Sequence, residues 1–175
     1  MSTQTTAPAL YVGTYANYNA GSLKGAWLKL DDYADRSEFL AACAELHADE
    51  SDRELMFQDC EGFPKVWYSE SSAPPDELWE WLALDAGERL AFEAYAEGKG
   101  SSDTCTLDDF RDTYEGTADS EADFAERIAE DTGAIPKDLP SWIVIDWAAS
   151  WSCNLRHDYY TGTDSEGTLH FFRNS

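Results

Sequence analysis

No stretch of this 175-residue chain stays apolar for the roughly 18–20 residues that a bilayer-crossing helix requires, so no membrane span is expected. Bases are scarce: 12 Lys and Arg stand against 35 Asp and Glu, for a formal charge of −23. Nucleic acid and anionic lipid surfaces are recognised through Lys and Arg, so neither is expected as a partner. A cationic protein surface is the natural complement of this chain. The four cysteines, Cys43, Cys60, Cys105 and Cys153, include no C-x-x-C pair. A chain of this length does not depend on disulfides, and free thiols in a reducing cytoplasm are the expectation. Met1–Pro8 has neither the basic nor the apolar region of a secretory leader and reads as a loose tail.

Signatures of catalysis are missing as well. No G-x-S-x-G, Walker A or G-x-G-x-x-G run occurs. The histidines, His47, His157 and His170, include no pair at metal-ligand spacing. His47 reads as a structural residue at a helix end, and His157 and His170 as facing residues of a terminal hairpin. Asp119, Glu121, Asp123 and Glu130 occupy calcium-loop positions 1, 3, 5 and 12, but Phe124 stands where the loop's sharp turn demands glycine. No enzyme activity, catalytic residue, metal or cofactor is therefore expected.

Aromatic residues are plentiful at 14%, with seven Trp and nine Tyr, and 43% of the chain is hydrophobic, which argues for a packed fold. The pattern reads as α+β, a chain of three small units. After the tail at 1–8, an α+β unit spans 9–64, with strands at 9–15, 23–30 and 54–59 and a helix over 35–48 started by Asp35 and Glu38. A helical middle unit spans 65–104, with helices over 76–84, led by Pro75, and 86–97, closed by a loop at 98–103. The third unit, 105–175, has helix starts at Thr106 and Ser120, with Tyr114-Glu-Gly116 ending the first helix and Gly133 the second. Trp142–Leu155 is helix-compatible, with Ile143-Val-Ile145 as an alternative strand, and strands near 157–161 and 168–173 form a hairpin.

The acids are unevenly spread. Residues 101–140 carry 12 acids and three bases, whereas the aromatic-rich 141–175 carries four and two. That last stretch reads as a surface to bury, in a core or against a second copy. On the helix near 120–132, Phe124, Ala125 and Ile128 share one side, and Asp119, Asp123, Glu126 and Glu130 gather on the other, with Arg127 adjoining. Asp108, Asp109, Asp112 and Glu115 form a second cluster, and Asp76, Glu77, Glu80 and Glu88 a third. Any single stripe is what a solvated helix face looks like. What sets these apart is that like charges stack at i,i+4, where ordinary faces alternate Glu with Lys. These twelve carboxylates are the candidate partner-binding residues.

Several blocks in order then resemble one family. Leu10 to Leu28, Glu54 to Asp59, Tyr114 to Glu126, Ile145 to Trp147, Asn154 to Tyr160 and Leu169 to Asn174 are similar to successive segments of ArdA antirestriction proteins. The likeness runs from about residue 9 to 174. It implies a homodimer of elongated three-part subunits, carried by mobile genetic elements, that mimics bent DNA in the DNA-binding groove of a type I restriction-modification enzyme. It places the dimer contact in the third part, where Trp142, Ile145, Trp147, Trp151 and Leu155 are the candidates. The run Ala148–Leu155 departs from the family in lacking a Glu and an Arg. Two other readings fit the composition: a generic acidic protein-interaction module, and a salt-adapted acidic cytoplasmic protein.

Overall fold

The computed structural model describes residues 6–99 and 105–174. The first five residues of the expected tail, and most of the loop expected over 98–103, lie outside them. The fold is α+β. The chain divides into two compact units, Met1–Asp85 and Ala86–Ser175. The boundary falls inside the stretch read above as a helical middle piece, leaving one of its helices in each unit.

In the first unit, β1 (Ala9–Thr14) leads into the short α1 (Tyr15–Asn19) and then β2 (Ala26–Lys29). The helix α2 (Arg36–Leu46), strand β3 (Leu55–Glu61) and helix α3 (Glu77–Leu82) follow. β1 is the central strand of an antiparallel sheet ordered β2-β1-β3. Leu10, Val12, Phe39, Cys43 and Phe57 are fully or almost fully buried. The Phe39 ring lies between those of Tyr33, Phe57 and Trp79 and ties α2 to β3 and α3. α2 begins where its sequence says it should: the Asp35 carboxylate accepts from the Glu38 amide, and the Glu38 carboxylate accepts from the Ala34 amide. Burial pushes the Cys43 thiol up to about 12, which makes it inert.

A buried polar knot closes this unit. The Thr14 hydroxyl donates to Glu50 Oε2 at 2.7 Å, and His47 Nδ1 lies 2.7 Å from Glu50 Oε1. His47 Nε2 lies 3.3 Å from the Val12 carbonyl oxygen, so both ring nitrogens face acceptors. Lys24 Nζ reaches Glu50 at 3.3 Å and Asp49 at 2.9 Å. The hydrogen bonds from Thr14 and His47 outweigh burial and hold the Glu50 carboxyl down at about 2.

The second unit contains α4 (Ala86–Lys99), α5 (Leu107–Thr113), β4 (Tyr114–Thr117) and α6 (Glu121–Asp131). After these come α7 (Trp147–Cys153), β5 (Tyr159–Thr163) and β6 (Leu169–Arg173). Its antiparallel sheet is ordered β4-β6-β5. Successive side chains of a strand point to opposite faces, and β6 uses this fully: Phe171 and Phe172 are both completely buried, one on each side. Phe172 packs with Tyr95 of α4 and Phe110 of α5. Phe171 stacks on Phe124 of α6, with ring centroids 4.0 Å apart, and meets Trp151 of α7 edge-on. The sheet is thus covered by α4 and α5 on one face and by α6 and α7 on the other.

Three expectations change here. Tyr114-Glu-Gly116 does not merely end a helix. It is the body of β4, an edge strand that pairs with β6 across a bulge at Glu115, where Gly116 takes φ +90°. The helix expected across Trp142–Leu155 is confined to Trp147–Cys153, because the Asp146 carboxylate caps its start by accepting from the Ala149 amide. His170 does not face His157: its register partners are Gly162 and Thr117, while His157 is exposed ahead of β5.

The folded-state carboxyl of Glu50 lies below its ordinary value of 4.5, so its contribution is present in full above that pH and is lost as pH falls through about 2. The stability difference between wild type and Glu50→Gln, from urea midpoints between about pH 2 and pH 6, should therefore be constant at the upper end and vanish at the lower. A Cβ on Gly162 would fall 2.5 Å from the Ala94 carbonyl oxygen, where β5 crosses α4. Gly162→Ala should lower stability by about 1–3 kcal/mol in the same urea assay.

Candidate functional site: the acidic helices

Each acidic helix is fixed by a cap and an apolar side. In α5, the Thr106 hydroxyl accepts from the Asp109 amide at 3.0 Å. Leu107, Phe110 and Thr113 point inward, which leaves Asp108, Asp109 and Asp112 exposed. In α6, the Ser120 hydroxyl accepts from the Asp123 amide at 3.1 Å. Phe124 and Ala125 are buried with Ile128 packed beside them, and Asp123, Glu126 and Glu130 are exposed. Asp119, just ahead of the cap, is exposed too. Glu115 is half-buried on β4, with Arg173 Nε 3.9 Å away.

The two clusters do not share a sheet face. α5 packs on the Phe172 side and α6 on the Phe171 side. They are consecutive along the chain, joined by edge strand β4, so the acidic segment passes around the sheet's edge rather than along one side. The third cluster is divided as well. Asp76, Glu77 and Glu80 belong to α3 and its cap in the first unit, whereas Glu88 lies in the first turn of α4 in the second.

What distinguishes the acids of α5 and α6 is how the nearby bases are used. Arg127, the base of α6, has Asp123, Glu130 and Asp131 within helical reach. It takes none of them. Nη1 donates to the Thr117 carbonyl and Nη2 to the Glu115 carbonyl, both at 2.8 Å, and the guanidinium lies 5.1 Å from the Phe124 ring centroid. Arg173 donates to the Asp112 carbonyl at 2.6 Å. Arg111 does pair with Asp108, at 3.2 Å and largely in solvent, where such a pair contributes little. Among the described residues, Asp109, Asp112, Asp119, Asp123, Glu126 and Glu130 form no ion pair with a base.

On α4, burial and like charge act on the same carboxyl. Glu93 has its carboxyl pushed above the ordinary value by burial and then by the charges of Glu97, one turn on, and Asp164. The periodic pattern does not announce Glu93, because the residue is half-buried.

A second feature escaped the sequence. Asp164, His170 and Tyr114 form a hydrogen-bonded chain: the tyrosine hydroxyl is 3.0 Å from His170 Nδ1, and His170 Nε2 is 2.9 Å from Asp164 Oδ2. Burial opposes ionisation of Asp164, but the His170 hydrogen bond and the Thr168 and Glu166 amides hold its carboxyl below the ordinary value. The chain pins β4 and β6 to the hairpin turn. No sequence spacing signals it, because Tyr114 is 56 residues from His170.

The aromatic candidates separate by burial. Trp151 is 6% exposed and belongs to the Phe124–Phe171 core, with Trp147 and Leu155 packed against it. Ile145 is half-buried. Trp142 is 79% exposed, and Val144, which the aromatic pattern passed over, is 89% exposed. A surface groove of about 600 Å³ between α6 and α7 is lined by Glu121, Asp146 and Trp151 among others. Within it, the Asp146 carboxylate is already engaged as the α7 cap. Among the described residues no group of His, Cys, Asp and Glu is arranged to hold a metal, and no helix is long and apolar enough to cross a membrane.

A family model described as antirestriction protein (ArdA) matches residues 10–168, through both units and the whole of α5 and α6. No curated protein matches. The chain belongs to the ArdA antirestriction family, whose members are inhibitors rather than enzymes.

Unneutralised carboxylates repel one another, and salt screens that repulsion over a Debye length of about 10 Å at 0.1 M. Raising NaCl from about 0.05 M to about 0.5 M should therefore raise the melting temperature. A midpoint that stays flat or falls would show that the acids are compensated within the fold.

Proposed function

We propose that this ArdA family member inhibits restriction by occupying the DNA-binding groove of a type I restriction-modification enzyme, its carboxylates standing where DNA places phosphates. The carrying observation is that Arg127 of α6 and Arg173 beside α5 donate to backbone carbonyls, while Asp109, Asp112, Asp119, Asp123, Glu126 and Glu130 are exposed and pair with no base among the described residues. A groove built to neutralise phosphates with Lys and Arg meets the same sign of charge here. Successive acids on a helix face are about 4.5–6 Å apart along the axis. Phosphates of one DNA strand advance about 3.4 Å. The decoy is sparser than DNA, so binding needs many contacts, none of them dominant. On this reading the protein works in the cytoplasm and blocks modification as well as cleavage.

Self-association is part of the proposal. Two copies each carrying −23 repel unless they meet where charge is lowest. The stretch from 141 onward is nearly neutral, and its exposed Trp142, Ile143 and Val144 support a dimer contact there.

The test is competition between this protein and duplex DNA for a purified type I methyltransferase core across a salt series. Apparent affinity should fall steeply and linearly on a log–log plot as salt rises. Single changes Asp109→Asn, Asp112→Asn, Asp123→Asn and Glu126→Gln should each weaken binding by about two- to fivefold, cumulatively when combined. Complete loss from any one of them, or binding indifferent to salt, would overturn the decoy reading.

A further inference from the structure

We infer that Arg127 is a positioning residue for the acidic helix: it sets the rotation of α6 by clamping the helix to the edge strand, and in doing so keeps its own charge out of the array. The inference rests on the decoy reading and goes one step past it, because it reverses the sign of the effect expected from a basic residue.

Three observations carry it. First, β4 is an edge strand, since the sheet order is β4-β6-β5. The outward Glu115 and Thr117 carbonyls have no neighbouring strand to bind them, and Arg127 takes both. Second, the two acceptors flank Gly116, whose φ of +90° only glycine adopts readily. A side chain at 116 would also lie 3.7–3.9 Å from the guanidinium, in contact with it. The bulge and the arginine are parts of one arrangement. Third, the guanidinium rests over Phe124, and Phe124 stacks on Phe171 at 4.0 Å. The helix is therefore held at two points on its inner side, an aromatic stack and a bidentate clamp.

A helix held only by its apolar stripe can roll by a fraction of a turn, and each residue occupies about 100°. A modest roll would carry Asp123, Glu126 and Glu130 toward the sheet or away from it. A guanidinium fixed to two carbonyls in fork geometry removes that freedom. Lysine, with a point charge on a flexible stem, cannot bridge both acceptors in the same way.

The test is Arg127→Gln and Arg127→Lys in the full chain, with Arg111→Gln as the matched charge change. Three readouts are required: competition with DNA for the type I methyltransferase core, far-UV circular dichroism, and amide hydrogen exchange. Electrostatics alone makes every loss of a base tighten binding to a cationic groove, and Arg111→Gln should do so. Arg127→Gln should instead weaken binding on the order of tenfold, and Arg127→Lys should weaken it too despite unchanged charge. Exchange should quicken in β4 and α6 while the first unit keeps its protection. If Arg127→Gln binds as tightly as wild type or tighter, the positioning role is overturned. If wild type fails to compete with DNA at any salt, the decoy reading fails instead. Hydrogen exchange then decides the clamp by itself: unaltered α6 protection in Arg127→Gln overturns it. Should the Gln variant lose its helical signal, Arg127→Lys supplies the same comparison.

Discussion

Self-repulsion is the constraint on which the rest of this structure turns. With 35 acids and 12 bases, pairwise neutralisation is arithmetically impossible, and four arginines are turned to the backbone instead. Arg36 donates to the Pro74 carbonyl, Arg53 to those of Ala48 and Glu50, Arg127 to those of Glu115 and Thr117, and Arg173 to that of Asp112. Each joins a loop, strand edge or helix end to its neighbour. A guanidinium suits this use because its donors lie in a rigid plane and remain charged at every accessible pH. These four arginines act as local fasteners of the backbone, which leaves much of the anionic surface uncompensated.

Cohesion must then come from burial. In the second unit it is concentrated in β6, whose Phe171 and Phe172 are buried on opposite faces and collect the rings of α4, α5, α6 and α7. Burying a large aromatic side chain contributes roughly 1.5–3 kcal/mol, which is several times what one exposed like-charge pair removes. A few stacked rings offset many mild repulsions. That balance explains how seven-residue α5 and eleven-residue α6 tolerate successive acids at helical spacing.

Features set by local chemistry were legible in the sequence. Asp35, Thr106 and Ser120 each cap the helix that their spacing implied, and the inward residues Phe124 and Ala125 are those the periodicity selects. The terminal hairpin is present, with β5 and β6 on either side of the turn. Features set by distant partners were not legible. Four residues containing a glycine do not announce a strand, and β4 is one because β6 pairs with it from more than fifty residues away. Arg127 reads as a counter-charge in the linear pattern, because its carbonyl acceptors lie ten and twelve residues upstream. The Trp151 side chain resembles its exposed neighbour Trp142 in composition alone, and only the Phe124–Phe171 stack assigns it to the core.

The same physics links the display of charge to the packing behind it. DNA holds its phosphates in register through a covalent backbone, whereas a protein must hold carboxylates in place through helix orientation. The orientation of α6 is fixed on its inner side, by Phe124 against Phe171 and by Arg127 against β4. Changing the inner side of α6 therefore alters the outer side without touching an acid. A helix that was acidic and poorly anchored would present the same net charge but spread it over many orientations, and its binding would lose the entropy of choosing one. On the decoy reading proposed above, net charge brings such a chain to a basic groove and rigid anchoring keeps it there.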